Sequence, residues 1–278
     1  MSELSIGAWN ARNAFGDERV GDAIEVVKKL DLDVLYLGEM ALIGEAASDE
    51  VAEATSRLEE DLGYIYHTST PYAVSPEIRN EHIMSIWSRV GSMQTVNSQA
   101  LGTRFGTKLS LPDIDTVIYG LHLDDANEAR RLESAKSVID DLAISDSESI
   151  VMGDLNSMNR RDPKSILPRS LGRAIGKYEL EDYYDESRKL QRLAGKVLRV
   201  CRMADGKTIQ TFLDNGFTEV DANYTPTIGS KPLAFQIDHI LATDGIKVTD
   251  FVKHDQSFGS YGPVLSDHEP ISATICRY

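Results

Sequence analysis

Six short stretches of this chain place polar side chains where apolar runs stop. "LSIGAWN" ends on Asn10, "DVLYLGE" on Glu39, and "TVIYGLHLD" on His122 with Asp124 close behind. "SIVMGDLN" ends on Asp154 and Asn156, "AFQID" runs into Asp238, and "LSDHEP" presents Asp267 and His268 just before the last apolar run. Any one of these reads as a turn former or a cap, since Gly, Asp and Asn are common in loops. Six in one chain, almost all Asp, Glu, Asn or His, describe a site assembled at strand ends. Glu39 and Asp267 are hard oxygen ligands of the kind Mg²⁺ takes, an ion that keeps several waters and needs few protein groups. Asn10 and Asn156 can orient a phosphate or a ligand carboxylate without adding charge. A histidine beside a carboxylate fixes a tautomer and holds a proton or a positive charge. Phosphate-ester hydrolysis needs these parts: a cation for the oxygens, a base for water, and donors for the phosphoryl group.

These side chains need rigid elements beneath them. Apolar runs predict strands at 4–9, 33–40, 81–88, 107–112, 116–123, 149–153, 234–243 and 271–276. Helical spacing predicts a helix over 20–30, with Val20, Ala23, Ile24 and Val27 on one face. A second helix, over 48–63, opens on a Ser or Asp cap and closes on Gly63, and a third, amphipathic, covers 127–145. The order of elements suits an α/β or α+β sandwich better than a doubly wound Rossmann sheet. No G-x-G-x-x-G opens the chain and no G-x-x-x-x-G-K-[ST] occurs. Without a Pro/Gly-rich linker or an internal repeat, the expectation is one domain over 1–278 with a helical insertion at about 157–207.

Composition narrows the partners. At 278 residues, 41% apolar and 26% charged, the chain is long enough for a sizeable core. No apolar stretch approaches the roughly 20 residues of a membrane helix, and "MSELSIGAWNARN" lacks the pattern of a secretory signal. Two cysteines, Cys201 and Cys276, sit far apart without metal-type spacing, so a reducing compartment and a cytoplasmic location are expected. Six histidines without a His/Cys cluster argue against structural zinc. The net charge of -15 is uneven: residues 157–207 hold thirteen Lys/Arg and seven Asp/Glu, and the remainder sixteen and thirty-seven. So acidic a body is a poor platform for gripping duplex nucleic acid without regard to sequence. The basic stretch from Arg160 to Lys177 is either a solvated helical segment or a place to hold an anion.

The combination of "GDLN", "IDHIL" and "SDH", with Asn10, Glu39 and His122 in order, resembles the endonuclease/exonuclease/phosphatase superfamily, whose branches include deoxyribonuclease I-like nucleases. The resemblance spans residues 4–275 and implies a four-layer αββα sandwich of two packed mixed β-sheets with its site on one rim. It implies Glu39 as the principal Mg²⁺ or Mn²⁺ ligand, organised by Asn10, with Asp267 on the metal side. His268 is then the histidine that contacts the scissile phosphate, and Asp238 the carboxylate that orients it. Asp154 aligns or deprotonates the attacking water, Asn156 holds a phosphoryl oxygen, and His122 assists the leaving group or the phosphate. The base stays open between Asp154, His268 and a water activated directly by metal. Arg131, one turn into the helix after His122, is a substrate-side candidate, and Arg104 is a second one or a plain surface cation. In departure from the family, Gly38 stands where a Gln often precedes the metal Glu, and Ala11-Arg12 follows Asn10 without the carboxylate some repair enzymes carry. The expected function is a metal-dependent phosphodiesterase of nuclease-like chemistry, acting on a phosphoester, nucleic acid among the candidates, with no protein partner evident. The alternatives are a phosphomonoesterase on a small phosphorylated metabolite or headgroup, or an inactive binding module.

Overall fold

Period-two alternation decides which face of each strand meets which neighbour. The computed structural model describes residues 3–16, 18–41, 49–70, 82–90, 94–95, 106–125, 127–144, 147–166, 168, 170, 200–201, 203–228, 234–254 and 265–277. Within them, strands β1 (Leu4–Asn10), β2 (Val34–Gly38), β3 (Tyr66–Thr70), β4 (Met84–Ser88), β11 (Ile246–Lys253) and β12 (Ile271–Arg277) form one sheet. Its order is β11-β12-β1-β2-β4-β3. Strands β5 (Gln94–Thr95), β6 (Gly106–Leu111), β7 (Thr116–His122), β8 (Glu148–Asp154), β9 (Phe217–Glu219) and β10 (Asp238–Thr243) form the other, in the order β5-β6-β7-β8-β10-β9. The helices are α1 (Val20–Leu30), α2 (Asp49–Glu60), α3 (Glu128–Leu142) and α4 (Lys207–Asp214). Each sheet is mixed, with one parallel pair at its centre, β1–β2 and β7–β8. Helices α1 and α3 make the two crossovers that parallel pairs require.

The inward faces of both sheets meet in one core. Ile6, Ala8, Val34, Tyr36 and Ile86 of the first sheet pack with Ile118, Ile150, Met152 and Ile240 of the second. The alternate residues face outward: Trp9, Leu35, Leu37 and Trp87 cluster with Ile24 and Val27 of α1 and Ala54 and Leu58 of α2. On the far side Tyr119, Leu121, Val151 and Leu241 cluster with Ala135 and Val138 of α3 and Ile209 and Phe212 of α4. The result is helix, sheet, sheet, helix, the four layers that the resemblance implies. Fully burying one Leu, Ile or Val is worth about 1.5–3 kcal/mol, against about 1 kcal/mol for a good N-cap. The three cores therefore outweigh caps such as Asn127, whose side chain accepts from the N–H groups of Ala129 and Arg130.

Two differences from the sequence expectation have physical causes. The run at 234–243 splits: β10 begins only at Asp238, while Phe235 makes an isolated bridge to Ile228. Strands β3, β5, β9 and β11 and helix α4 were not expected. In β11 only Ile246 is fully buried, and a register shift after Thr249 breaks the alternation of its apolar residues. Of the basic insertion, the described part opens with a short turn at Pro163–Ser165 capped by the Asp162 side chain. Residues 171–199 and Arg104 lie outside the described residues. Among the described residues no helix is long and apolar enough to cross a membrane.

Candidate active site

Strand polarity brings the polar ends together. In a parallel pair both carboxyl ends leave the sheet on the same edge, so Asn10 lies opposite Gly38, one residue before Glu39, and His122 lies opposite Asp154. The antiparallel neighbours start where these strands finish. Asp238, the first residue of β10, pairs with Asp154, and Ile271 of β12 pairs with Ala8, which sets His268 beside the end of β1. One rim thus collects Asn10, Glu39, His122, Asp154, Asn156, Asp238 and His268, at the carboxyl ends where open α/β sheets bind ligands.

Asn10 joins the two sheets: its amide nitrogen donates to Glu39 Oε1 and to Asp154 Oδ2, both at 3.1 Å. The Asp154 side chain also accepts from Asn156 N at 2.9 Å. Two imidazoles face its Oδ2 at 3.7 Å, through His122 Nε2 and His268 Nε2. His268 Nδ1 meets both Asp238 oxygens, at 2.9 and 3.1 Å. Asp238 is itself seated by Thr227, whose hydroxyl accepts from the N–H groups of Ile237 and Asp238. Indole Trp9 Nε1 donates to the His268 carbonyl at 3.3 Å, and the Ser266 hydroxyl accepts from His268 N while donating to Asn10 O. The His268 ring is therefore held from several sides with Nε2 turned toward Asp154.

Burial and charge tune these groups against one another. Burial pushes His268 toward neutrality, but Asp238 and Asp154, with the hydrogen bond to Asp238 and the charge of Asp267, outweigh it and raise its pKa to about 10. Burial likewise pushes Glu39 up, yet His122 and His82, the Asn10 amide and His268 hold it below the usual carboxylate range. For Asp154 burial wins, helped by Asp238, and its pKa stands above the ordinary value despite His268 and His122. Asp238, also desolvated, is kept below its ordinary value by His268 and the bond between them.

Positive φ angles mark the same strand ends: Arg12 at 46°, Asn13 at 64°, Glu39 at 46° and Asn156 at 47°. Such angles are uncommon outside glycine and cluster where function over-determines the backbone. The turn after β2 is pinned by Asn13 N donating to Glu39 O at 2.6 Å and by Met40 N donating to Ile83 O at 2.9 Å.

The remaining expected residues fall elsewhere. Asp267 is exposed and forms an ion pair with Arg12 at 2.9 Å, at the edge of the rim. Arg131 is fully buried, its Nη1 donating to Asp124 O at 2.6 Å and its Nε to Glu128 Oε2 at 2.7 Å. That corrects the substrate-side expectation: the guanidinium ties α3 to the end of β7 and presents nothing to a ligand. Three residues went unnoticed in the sequence. His82 Nε2 stands 3.8 Å from Glu39 Oε2. It precedes β4, which runs antiparallel to β2, so a search of strand starts as well as ends would find it. His239, wholly buried, bonds Glu219 through Nδ1 and the Ser157 carbonyl through Nε2, steadying the loop that carries Asn156. The third is Tyr36, buried beneath the carboxylates.

The donor set fits a divalent cation. Asp154, Asp238 and His268 offer ligand atoms within 4.8 Å of one another, but Asp238 and His268 are already engaged with each other. Glu39 is ionised and its side chain is 19% exposed, which makes it the accessible anionic donor. Carboxylate oxygens are the donors that hard divalent cations take.

The model described as the Endonuclease/Exonuclease/phosphatase family matches residues 7–268, and the chain belongs to that family. Its fold is shared with an AP endonuclease from Archaeoglobus fulgidus at 13% identity and TM-score 0.60, covering 97% of this chain and 98% of that one. It is shared too with the human Nocturnin catalytic domain with bound sulfate anion, at 15% identity and TM-score 0.58, covering 99% and 94%. A mannosyl-6-phosphatase from Bacteroides thetaiotaomicron VPI-5482 matches at 14% identity and TM-score 0.57, covering 98% and 99%. No curated protein matches the sequence.

Proposed function

We propose that this protein is a divalent-cation-dependent phosphoester hydrolase whose substrate is a phosphodiester, cleaved by nuclease-like attack of water on phosphorus. One observation carries the reading: the His268–Asp238 pair faces Asp154 across 3.7 Å while Asn10 ties Asp154 to Glu39. The family, and fold relatives described as an endonuclease and a phosphatase, support the same class of reaction.

Glu39, organised by Asn10, would hold Mg²⁺ or Mn²⁺, which when bound supplies positive charge for the phosphoryl oxygens. Asp267, paired with Arg12 through Oδ2, could join that side through its other oxygen, and an exposed pair of this kind is worth about 0–1 kcal/mol. With Nδ1 bonded to Asp238 and its pKa raised to about 10, His268 is an imidazolium at neutral pH, donating from Nε2 to a phosphoryl oxygen. Asp154 takes the proton of the attacking water as the bond from phosphorus to the leaving oxygen breaks. Its raised pKa makes it a better base than an ordinary carboxylate. His122, 3.7 Å from Asp154 and 3.5 Å from Glu39, serves the phosphate or the leaving oxygen. Asn156 donates from Nδ2 to Leu123 O at 2.9 Å and keeps its other amide hydrogen for a phosphoryl oxygen. The free thiols of Cys201 and Cys276 suit a reducing, cytoplasmic setting.

A second reading, a phosphomonoesterase on a small phosphorylated metabolite, is favoured by the net charge of -15, which opposes a broad polyanion interface. Hydrolysis of bis-p-nitrophenyl phosphate and p-nitrophenyl phosphate with Mg²⁺, Mn²⁺ or EDTA, beside His268→Ala, separates the two. Metal- and His268-dependent cleavage of the diester is expected. Cleavage of the monoester alone would transfer the proposal to the second reading, and turnover unaffected by EDTA would sink both.

A further inference from the structure

Tyr36 is a buried polar side chain that the roles above leave unused. It leaves the middle of β2, 1% exposed, and crosses the interface between the two sheets. The facing strands have no side chains where its ring lies. A Cβ at Gly120 of β7 would stand 2.2 Å from Tyr36 Cδ2, and one at Gly153 of β8 would stand 2.7 Å from Cε1. Toward the rim, a Cβ at Gly38 would begin 3.5 Å from the hydroxyl. Three glycines thus form a slot that admits this ring and delivers its oxygen to the underside of the site.

A phenylalanine would fill the same slot, so the ring alone does not account for the hydroxyl. Among the described residues the Tyr36 hydroxyl has no hydrogen-bond partner. Burying such a group unpaired is costly, and its presence calls for a use. Burial and then the charges of Asp154, Glu39 and Asp238 push its pKa well above the ordinary value, so it stays a neutral donor. The charges that act on it are all carboxylates. A carboxylate offers about four lone-pair sites, and in Asp154 the hydrogen bonds come from Asn156 N and the Asn10 amide.

We propose that Tyr36 is a positioning residue for Asp154, its O–H passing through the glycine slot to become a further donor to that carboxylate and fix its plane against the reacting phosphate. The inference rests on the reading of Asp154 as the group that handles the attacking water. It extends the site downward, from the rim into the core between the sheets.

The test is Tyr36→Phe, which keeps the ring and removes only the donor. Its melting temperature is expected to match or exceed that of the wild type, while kcat on bis-p-nitrophenyl phosphate with Mn²⁺ falls about tenfold and KM stays within about twofold. A structural filler would leave kcat alone, and wild-type kcat in this variant overturns the proposal. A second readout does not depend on turnover: the hydroxyl proton of Tyr36, followed in protein carrying [ζ-13C]tyrosine and assigned by its loss in Tyr36→Phe. Slow exchange that becomes fast in Asp154→Ala supports the bond, and equal exchange in both proteins overturns it. A wild-type protein that cleaves neither ester would sink the functional reading, and the hydroxyl signal would still decide whether Tyr36 holds Asp154.

Discussion

His268 keeps its charge because Asp238 is there. Asp238→Asn preserves the shape of the pair and removes the charge, so the imidazole should return toward its ordinary pKa of about 6.5. Activity is then expected to fall about 10²–10⁴-fold at neutral pH with an unchanged circular dichroism spectrum. His268→Ala should lose at least as much, and wild-type rates in either variant would refute the assignment. Glu39→Gln should weaken Mn²⁺ binding, measured by calorimetry, beyond the roughly 10–100-fold typical of outer-shell changes. At this scale most of the candidate site was legible in the chain. Asn10, Glu39, His122, Asp154, Asn156, Asp238 and His268 each interrupt an apolar run, and a polar residue at such a point needs a reason. Tyr36 carried no such mark, since an aromatic inside a strand reads as ordinary core. Arg131 read as a substrate-side group because helical spacing does not reveal that Asp124 and Glu128 enclose it.

Elements position these groups, and two residues near strand ends test how. Gly153 sits at φ 129°, and a Cβ there would lie 2.2 Å from the Leu121 carbonyl oxygen. Gly153→Ala should therefore cost about 1–3 kcal/mol from backbone strain alone, read as a drop in melting temperature of at least about 2–4 °C. A second probe lies beyond β11, where His254 Nε2 meets Ser272 Oγ at 2.7 Å and burial holds its pKa below the ordinary value. The unfolded chain protonates this residue first. Stability should thus decline as the pH falls from about 6.5 through the lower folded pKa, and His254→Gln should flatten that limb in urea titrations. An identical limb in the variant would show that His254 is not its source. Helix α1 was legible to the residue and α3 to within three, because their apolar positions repeat at helical spacing. Strand β11 was not, because seven of its eight residues are less than fully buried and the alternation begun by Ile246 and Val248 breaks at the register shift after Thr249.

Across the whole molecule, a charge of -15 implies self-repulsion. Raising monovalent salt from about 10 to about 150 mM shortens the Debye length from about 30 to about 8 Å, so the melting temperature should rise. A fall would mean that ion pairs such as Lys108–Asp141 outweigh the repulsion. The sequence by itself determined the class of fold, through apolar runs of strand length alternating with amphipathic helices, and it determined which residue types stand where those runs end. Only the tertiary structure decided which ends share one rim. Asn10 and Asp154 are 144 residues apart and come from different sheets, and their contact depends on how two inner faces stack. Stacking follows from the joint shape of many side chains, a tyrosine over three glycines among them, and no local period in the chain encodes it.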